Sequence, residues 1–397
     1  MATLVAPTTL DGLLGRVRAL EPLIREHAPR AERERRLALP VSDALRDAGF
    51  FRIFRPASRG DGLELDPVTA FRVFEELSRI DSAVGWNVTL ANACEVFGAW
   101  YSDRVTEEVF GSPETVMAGS WNPPRKAVPA DGGYRISGRT LFSSNCRSAT
   151  WILGLANVFD GDDMRVDERG AAVTLLTLFP MRETEIGDNW NTVGMRGTGS
   201  DDVVAEDVFV PHERAVPFGP LENPGTAYAG PFHRLSIWPA VACQVSVALG
   251  VARAAIDDFI AMAKKKTPMY TATPLRERSV VQLQVAEAEA KLGAARCFLF
   301  SVLDEIWQRA KEGESLDMSA RARCQLASSH AVVAAGEAVD RVYLAAGASA
   351  IRDEQPFQRY FRDVHVITQH AFTSPSRFEA VGQIMLGLEP DWPFFQL

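Results

Sequence analysis

Apolar residues recur at intervals of three and four over the second half of the chain. Val281, Val285, Ala288, Leu292, Ala295, Leu299, Val302 and Ile306 form one such series. It predicts a buried stripe along a helix of about 30 residues, roughly 45 Å long. Companion helices are expected over residues 236–266 and 320–346, the latter stopped by Gly347. Residues 362–386 supply a fourth, and long alanine-rich helices of matched length pack as an antiparallel four-helix bundle. Near the start, Leu13, Val17, Leu20, Leu23 and Ile24 share a helical face, with the charges from Arg25 to Arg36 on the remaining surface. Pro40 opens a further helix that Gly49 stops. Residues 71–100 read as an inner helical region, and the small residues in Asp81-Ser-Ala-Val-Gly-Trp86 allow close approach.

Between about 117 and 220 the period falls to two. Ala130-Asp-Gly-Gly133 is a tight-turn sequence, and Tyr134-Arg-Ile-Ser-Gly138 alternates apolar with polar residues. Residues 151–158, 172–179 and 203–210 are further strand candidates, the last closed by Pro211, with 160–170 as an exposed loop. A small antiparallel barrel or sandwich follows. The chain thus divides into an N-terminal helical domain (1–116), a β-barrel domain (117–220) and a C-terminal four-helix bundle (221–397), a mostly α protein with a central β domain. Apolar stripes left uncovered by a single bundle predict a homo-oligomer.

Composition narrows the function. With 397 residues, 47% hydrophobic and 23% charged, the chain has the make-up of a globular protein with a substantial core. A net charge of -9, with no basic run beyond Lys264-Lys265-Lys266, argues against nucleic acid as the main partner. That triplet suits either a phosphate or a solvated helix end. Cys94, Cys146, Cys243, Cys297 and Cys324 are odd in number and form no CxxC pair, so they read as reduced, buried groups. No secretory signal opens the chain, and no apolar run approaches the roughly 18 residues of a membrane span, which predicts a cytoplasmic protein. Phosphate-loop, HExxH, nucleophile-elbow, nicotinamide and metal-ligand patterns are absent, so no metal is expected.

The C-terminal stretch Phe361-Arg-Asp-Val-His-Val-Ile-Thr-Gln-His370 concentrates the candidate chemistry. Read as one helix, it puts Arg362, Asp363 and His370 on related sides, with His370 as a base at the wall of a cofactor pocket and His365 pointing elsewhere. A buried structural histidine is the competing reading. The loop 217–234 carries Tyr228, Phe232 and His233 and is expected at the pocket entrance, its aromatics leaning towards a planar or hydrophobic substrate.

Four motifs in order, Met117-Ala-Gly-Ser-Trp121, Gly133-Tyr-Arg-Ile-Ser-Gly138 with Leu141-Phe-Ser-Ser-Asn145, Trp190-Asn-Thr-Val-Gly-Met-Arg-Gly-Thr198 and Val208-Phe-Val-Pro211, resemble the acyl-CoA dehydrogenase fold. Where short- and medium-chain members carry a catalytic glutamate in Tyr-Glu-Gly-Thr, this chain has His370-Ala-Phe-Thr373. Alanine cannot remove an alpha proton. The histidine instead resembles the two-component flavin-dependent monooxygenases of this fold, which act in hydroxyphenylacetate, steroid-phenol and dibenzothiophene metabolism or as nitrososynthases on amino sugars.

The resemblance implies FMNH2 or FADH2 delivered by a separate NAD(P)H:flavin reductase, with dioxygen as co-substrate. A C4a-(hydro)peroxyflavin would then hydroxylate or N-oxygenate a small, aromatic substrate, in a homotetramer. It also implies residue roles. Ser143 and Ser144 would hydrogen-bond the flavin ring, Ser120 and Trp121 would line it, and His370 would face it from the substrate side, where Trp86 and Asn92 also contact substrate. Some members carry an acid/base histidine on the inner helix; this chain has Asn87, Asn92 and Cys94 there, so that role is absent or altered, and Asn92 is the candidate for a hydrogen bond to substrate. For the flavin phosphate, Arg276, or Arg278, with Gly347, Ala348 and Ser349 of a neighbouring subunit are the candidates, while Arg196 braces the barrel. An acyl-CoA dehydrogenase or oxidase with a displaced base, and a non-catalytic binding member of the fold, are the alternatives.

Overall fold

The computed structural model describes residues 9–397, so the first eight residues of the expected N-terminal domain lie outside it. Five helices come first: α1 (Leu10–Glu34), α2 (Leu39–Asp47), α3 (Pro67–Ile80), α4 (Ser82–Val96) and α5 (Asp103–Phe110). Side-chain caps fix the starts of all but α2. Thr9 accepts from Gly12 N for α1, and Asp66 accepts from Thr69 N for α3. Asp81 ends α3 and begins α4 in one extended residue, its carboxylate accepting from the Ala83 and Val84 amides, both at 3.0 Å. The small residues after it work as the sequence implied. A Cβ on Gly85 would lie 1.9 Å from Ser78 Oγ, so α3 and α4 could not approach this closely around any larger residue.

Eight strands follow: β1 (Met117–Ala130), β2 (Gly133–Thr140), β3 (Trp151–Asp160), β4 (Asp163–Met164), β5 (Thr174–Pro180), β6 (Glu185–Ile186), β7 (Val203–Pro211) and β8 (Ala215–Pro217). Their order is β6-β7-β2-β1-β3-β5-β8, with β4 beside β3. The expected antiparallel barrel is therefore a mixed sheet, because β1 and β3 run parallel. Strand β1 escaped the alternation pattern because Pro123 and Pro124 interrupt it. The pairing with β3 slips between Ser120 and Arg125, where those prolines cannot donate to a ladder.

The remaining helices are α6 (Trp238–Ala242), α7 (Val245–Ala263), α8 (Ser279–Lys311), α9 (Met318–Ala346), α10 (Phe357–Ile367) and α11 (Arg377–Met385). The stripe read from Val281 to Ile306 is the buried face of α8, except for the half-buried Val285. Residues 238–263, α6 and α7 together, are by length and mean hydropathy apolar enough to cross a membrane, contrary to the expectation of no such run, but nearly all of the most apolar part is buried inside the protein as core. The fourth bundle helix is broken. Helix α10 stops at Ile367, and His370 lies in the turn beyond it, not on a shared helix with Arg362 and Asp363.

Candidate active site

A cavity of about 570 Å³ lies where α4, the sheet, the α6–α7 junction and the C-terminal segment meet. The sheet contributes Ser120 and Trp121 from β1 and Ser144 from the loop after β2; α4 contributes Trp86, Leu90 and Cys94. The turn after α10 supplies His370, and the chain end closes one side with Trp392 and Phe394. Among the described residues, no Lys, Arg, Asp or Glu lines it.

A directed chain of hydrogen bonds runs along one wall. Trp86 Nε1 donates to Ser144 Oγ at 3.0 Å, Ser144 and Ser200 hydroxyls lie 2.7 Å apart, and Ser200 and Thr198 hydroxyls also 2.7 Å apart. Thr198 donates its only hydroxyl proton to the Met195 carbonyl at 2.8 Å. Ser200 must then donate to Thr198, and Ser144 to Ser200. Asp363 anchors the far end by accepting from the Met195 amide at 2.6 Å and from Ser82 Oγ at 2.5 Å. This anchoring suits Met195, which holds a left-handed φ of 54°.

His370 packs edge-on against Trp86, with ring centroids 5.2 Å apart, and against Phe372 at 5.5 Å. Its Nδ1 is buried without a hydrogen-bond partner. Burial lowers its pKa from 6.5 to about 4, because nothing nearby stabilises an imidazolium. At neutral pH the ring is uncharged and able to accept a proton.

The other candidates divide sharply. Trp121 lines the cavity and packs at a tilt against Phe97, ring centroids 4.7 Å apart, while Ser120 lines it with its hydroxyl turned to the Leu141 carbonyl. Ser143 does not line it: its side chain is fully buried and its Oγ has no partner. Asn92 is spent on backbone. Its Oδ1 accepts from Ile53 and Phe54 amides and its Nδ2 donates to Phe50 and Val88 carbonyls, so no group remains for substrate. Tyr228 and Phe232 are core residues, not an entrance; Phe232 packs on Phe54 at 4.8 Å and Tyr228 fills the space over Gly98.

Arg276 lies away from this cavity, exposed beside Glu277, and Arg362 and Asp363 face the 190–195 loop instead of the cavity. Arg196 reaches the Glu32 carbonyl at 3.2 Å, so it ties the sheet loop to α1. Gly347, Ala348 and Ser349 form a short turn after α9, and the cation that meets them is Lys266, whose Nζ donates to Ser349 Oγ at 2.7 Å and to the Ala346 carbonyl at 3.0 Å. Lys265, Lys266 and Ser349 line a second, open cavity of about 550 Å³. The sequence flagged the lysine triplet without linking it to this turn. Ser200, Gln244, Trp392 and Phe394 carried no motif at all.

The family described as acyl-CoA dehydrogenase, C-terminal domain, matches residues 242–375. An indole-3-acetate monooxygenase of Pseudomonas putida is 30% identical over 96% of this chain and 93% of its own. The flavin-dependent monooxygenase oxygenase subunit HsaA of Mycobacterium tuberculosis is 29% identical over 96% of each. The chain belongs to the flavin-dependent monooxygenases of the acyl-CoA dehydrogenase fold. Structure agrees, since XiaF from a Streptomyces species, solved with FADH2 and glycerol, superposes with a TM-score of 0.88 at 26% identity over 97% of both chains. Within this monooxygenase family, the histidine at position 370 and the hydroxyl chain ending at Ser144 are among the polar features this chain offers its cavity, with Ser120, Asn122, Gln244 and Gln369.

Proposed function

We propose that the chain is the oxygenase component of a two-component monooxygenase, binding reduced FMN or FAD and acting with dioxygen on a small aromatic substrate. The observation that carries this reading is the 570 Å³ cavity, largely aromatic and uncharged, with a few serine and threonine hydroxyls, three amides and one imidazole in its wall. Such a slot fits a flat tricyclic ring with polar edges. When bound, reduced flavin supplies the electrons that activate dioxygen; the protein's work is to orient, exclude water and move a proton.

Ser144 and Ser120 with Trp121 would hold the ring on the sheet side. His370 would receive a proton from substrate; it is neutral at physiological pH, with its basicity lowered by burial. The aromatic wall of Phe372, Trp392 and Phe394, packed with centroids 5.0 to 5.8 Å apart, keeps water from the substrate end. For the phosphate of a flavin from a neighbouring subunit, Lys266 and Ser349 are better placed than Arg276. The exposed Leu344, Ile351, Met385 and Leu386 support a homotetramer. A separate reductase supplies the reduced flavin, and the five free cysteines suit a cytoplasmic setting.

The absence of any carboxylate among the described lining residues disfavours an acyl-CoA dehydrogenase, which needs a base of that kind beside its thioester. Rapid mixing of the protein–reduced flavin complex with oxygen tests the reading. A transient near-ultraviolet band distinct from reduced and oxidised flavin supports it; direct return to oxidised flavin, as in free solution, overturns it.

A further inference from the structure

Gln244 sits at the junction of α6 and α7, in the cavity wall beside Ala240. It is 1% exposed. Its Nε2 donates to the Ala240 carbonyl at 2.9 Å, which fixes the amide's orientation and leaves Oε1 as the acceptor. That oxygen is buried with no hydrogen-bond partner. A buried, unpaired carbonyl is costly, and because Gln244 is part of the cavity wall, a group entering the cavity that reached its Oε1 would relieve that cost.

The rest of the wall says what kind of group. The cavity lining that Gln244 belongs to includes Leu90, Ala240, Phe372, Trp392 and Phe394, and no cationic side chain lines it among the described residues. A carboxylate would enter with no partner and lose its hydration. An uncharged ring carrying an O–H or N–H would lose little and would meet an acceptor that lacks a donor.

We infer that Gln244 is a specificity-determining residue, its Oε1 accepting from the hydroxyl or ring N–H of a neutral aromatic substrate, so that aromatic acids are excluded. This rests on the monooxygenase reading and goes beyond it. It also separates this chain from its relative named for indole-3-acetate, whose acetate arm would have no counter-charge here.

The test is equilibrium binding to the anaerobic protein–reduced flavin complex, read by quenching of tryptophan fluorescence, with indole, N-methylindole and indole-3-acetate as probes. Indole is expected to bind about tenfold tighter than N-methylindole, the scale of one buried polar group left unpaired, and tighter still than indole-3-acetate. Gln244→Met, similar in shape but without the amide, should erase the preference for indole over N-methylindole while keeping the preference for neutral rings over the acid. Equal binding of indole and N-methylindole by the unaltered protein would overturn the proposal even if no variant folds. So would indole-3-acetate binding as tightly as indole, or no detectable binding of any neutral ring. The oxygen-mixing experiment without aromatic ligand judges the flavin reading separately, so the two failures can be told apart.

Discussion

Trp86 donates its indole N–H to Ser144 Oγ across 3.0 Å, and that contact settles what the serine can offer the cavity. Because Ser144 passes its own proton to Ser200, and Ser200 passes its proton to Thr198, the Ser144 hydroxyl has only a lone pair left. It is an acceptor at the wall of the site.

Reduced flavin carries an N–H at its central ring where oxidised flavin has a bare nitrogen. An acceptor-only hydroxyl therefore favours the reduced form. In Ser200→Ala, Ser144 regains a free proton, and the ratio of reduced- to oxidised-flavin affinity is expected to fall roughly fivefold, about 1 kcal/mol for one hydrogen bond. Anaerobic and aerobic fluorescence titrations with FMN and FAD measure this directly. An unchanged ratio would mean that Ser144 does not meet the ring edge.

His370 is unpartnered at Nδ1, and its pKa is lowered to about 4. Substituting Asn removes a proton acceptor without adding charge. His370→Asn should lose 10²- to 10⁴-fold in substrate oxygenation, the usual range for a positioned base, while reduced-flavin binding changes little and hydrogen peroxide replaces product. The acid limb of kcat/KM in the unaltered enzyme should lie near pH 4, not near 6.5. A steady-state pH series with product and peroxide assays checks both.

Much of this architecture was legible because it rests on periodicity. The stripe from Val281 to Ile306 and the alternation through Tyr134 need only neighbours in sequence. Of the site, the sequence reading put His370 and Trp121 at a pocket wall, and both line the cavity. Asn92 misled because its partners, Phe50 to Phe54, lie about forty residues away and appear only after folding. Tyr228 and Phe232 misled because aromatic residues in a Gly- and Pro-rich loop look exposed until Phe54 and Gly98 are found beneath them. Gln244 gave no signal, since its meaning comes from what its Oε1 lacks.

Asn92 offers a check on that distinction. Three backbone groups of the buried 50–54 segment depend on it, the Ile53 and Phe54 amides and the Phe50 carbonyl, while its fourth bond goes to the Val88 carbonyl in its own helix. Asn92→Ala should cost about 3 kcal/mol, since several buried groups lose their partner together. At temperatures where the variant remains folded, its KM and flavin affinity should match the unaltered protein. Thermal unfolding and kinetics on one preparation separate the two roles; a raised KM at normal stability would restore Asn92 to the substrate site.

His233 predicts how the fold responds to acid. It lies between Tyr228 and Phe232, with ring centroids at 4.7 and 5.2 Å, and neither of its ring nitrogens has a hydrogen-bond partner. Burial lowers its pKa from 6.5 to about 4. The unfolded chain thus takes up a proton more readily than the folded one, so stability is fully present above pH 6.5 and falls as pH drops towards 4. His370 adds a second contribution of the same sign over the same window. In His233→Phe an aromatic ring of similar size fills the site without a titrating group. Stability at pH 7.5 should change by less than about 1.5 kcal/mol, as for other near-isosteric core exchanges. Between pH 6.5 and 4.5 the variant should lose less Tm than the unaltered protein, by the share His233 contributes, while the share from His370 persists. Calorimetry across that range, with Phe and Asn substitutions at 233 and 370 singly and together, apportions the acid sensitivity between the two imidazoles. Parallel Tm curves for all four proteins would show that neither ring is buried in its neutral form.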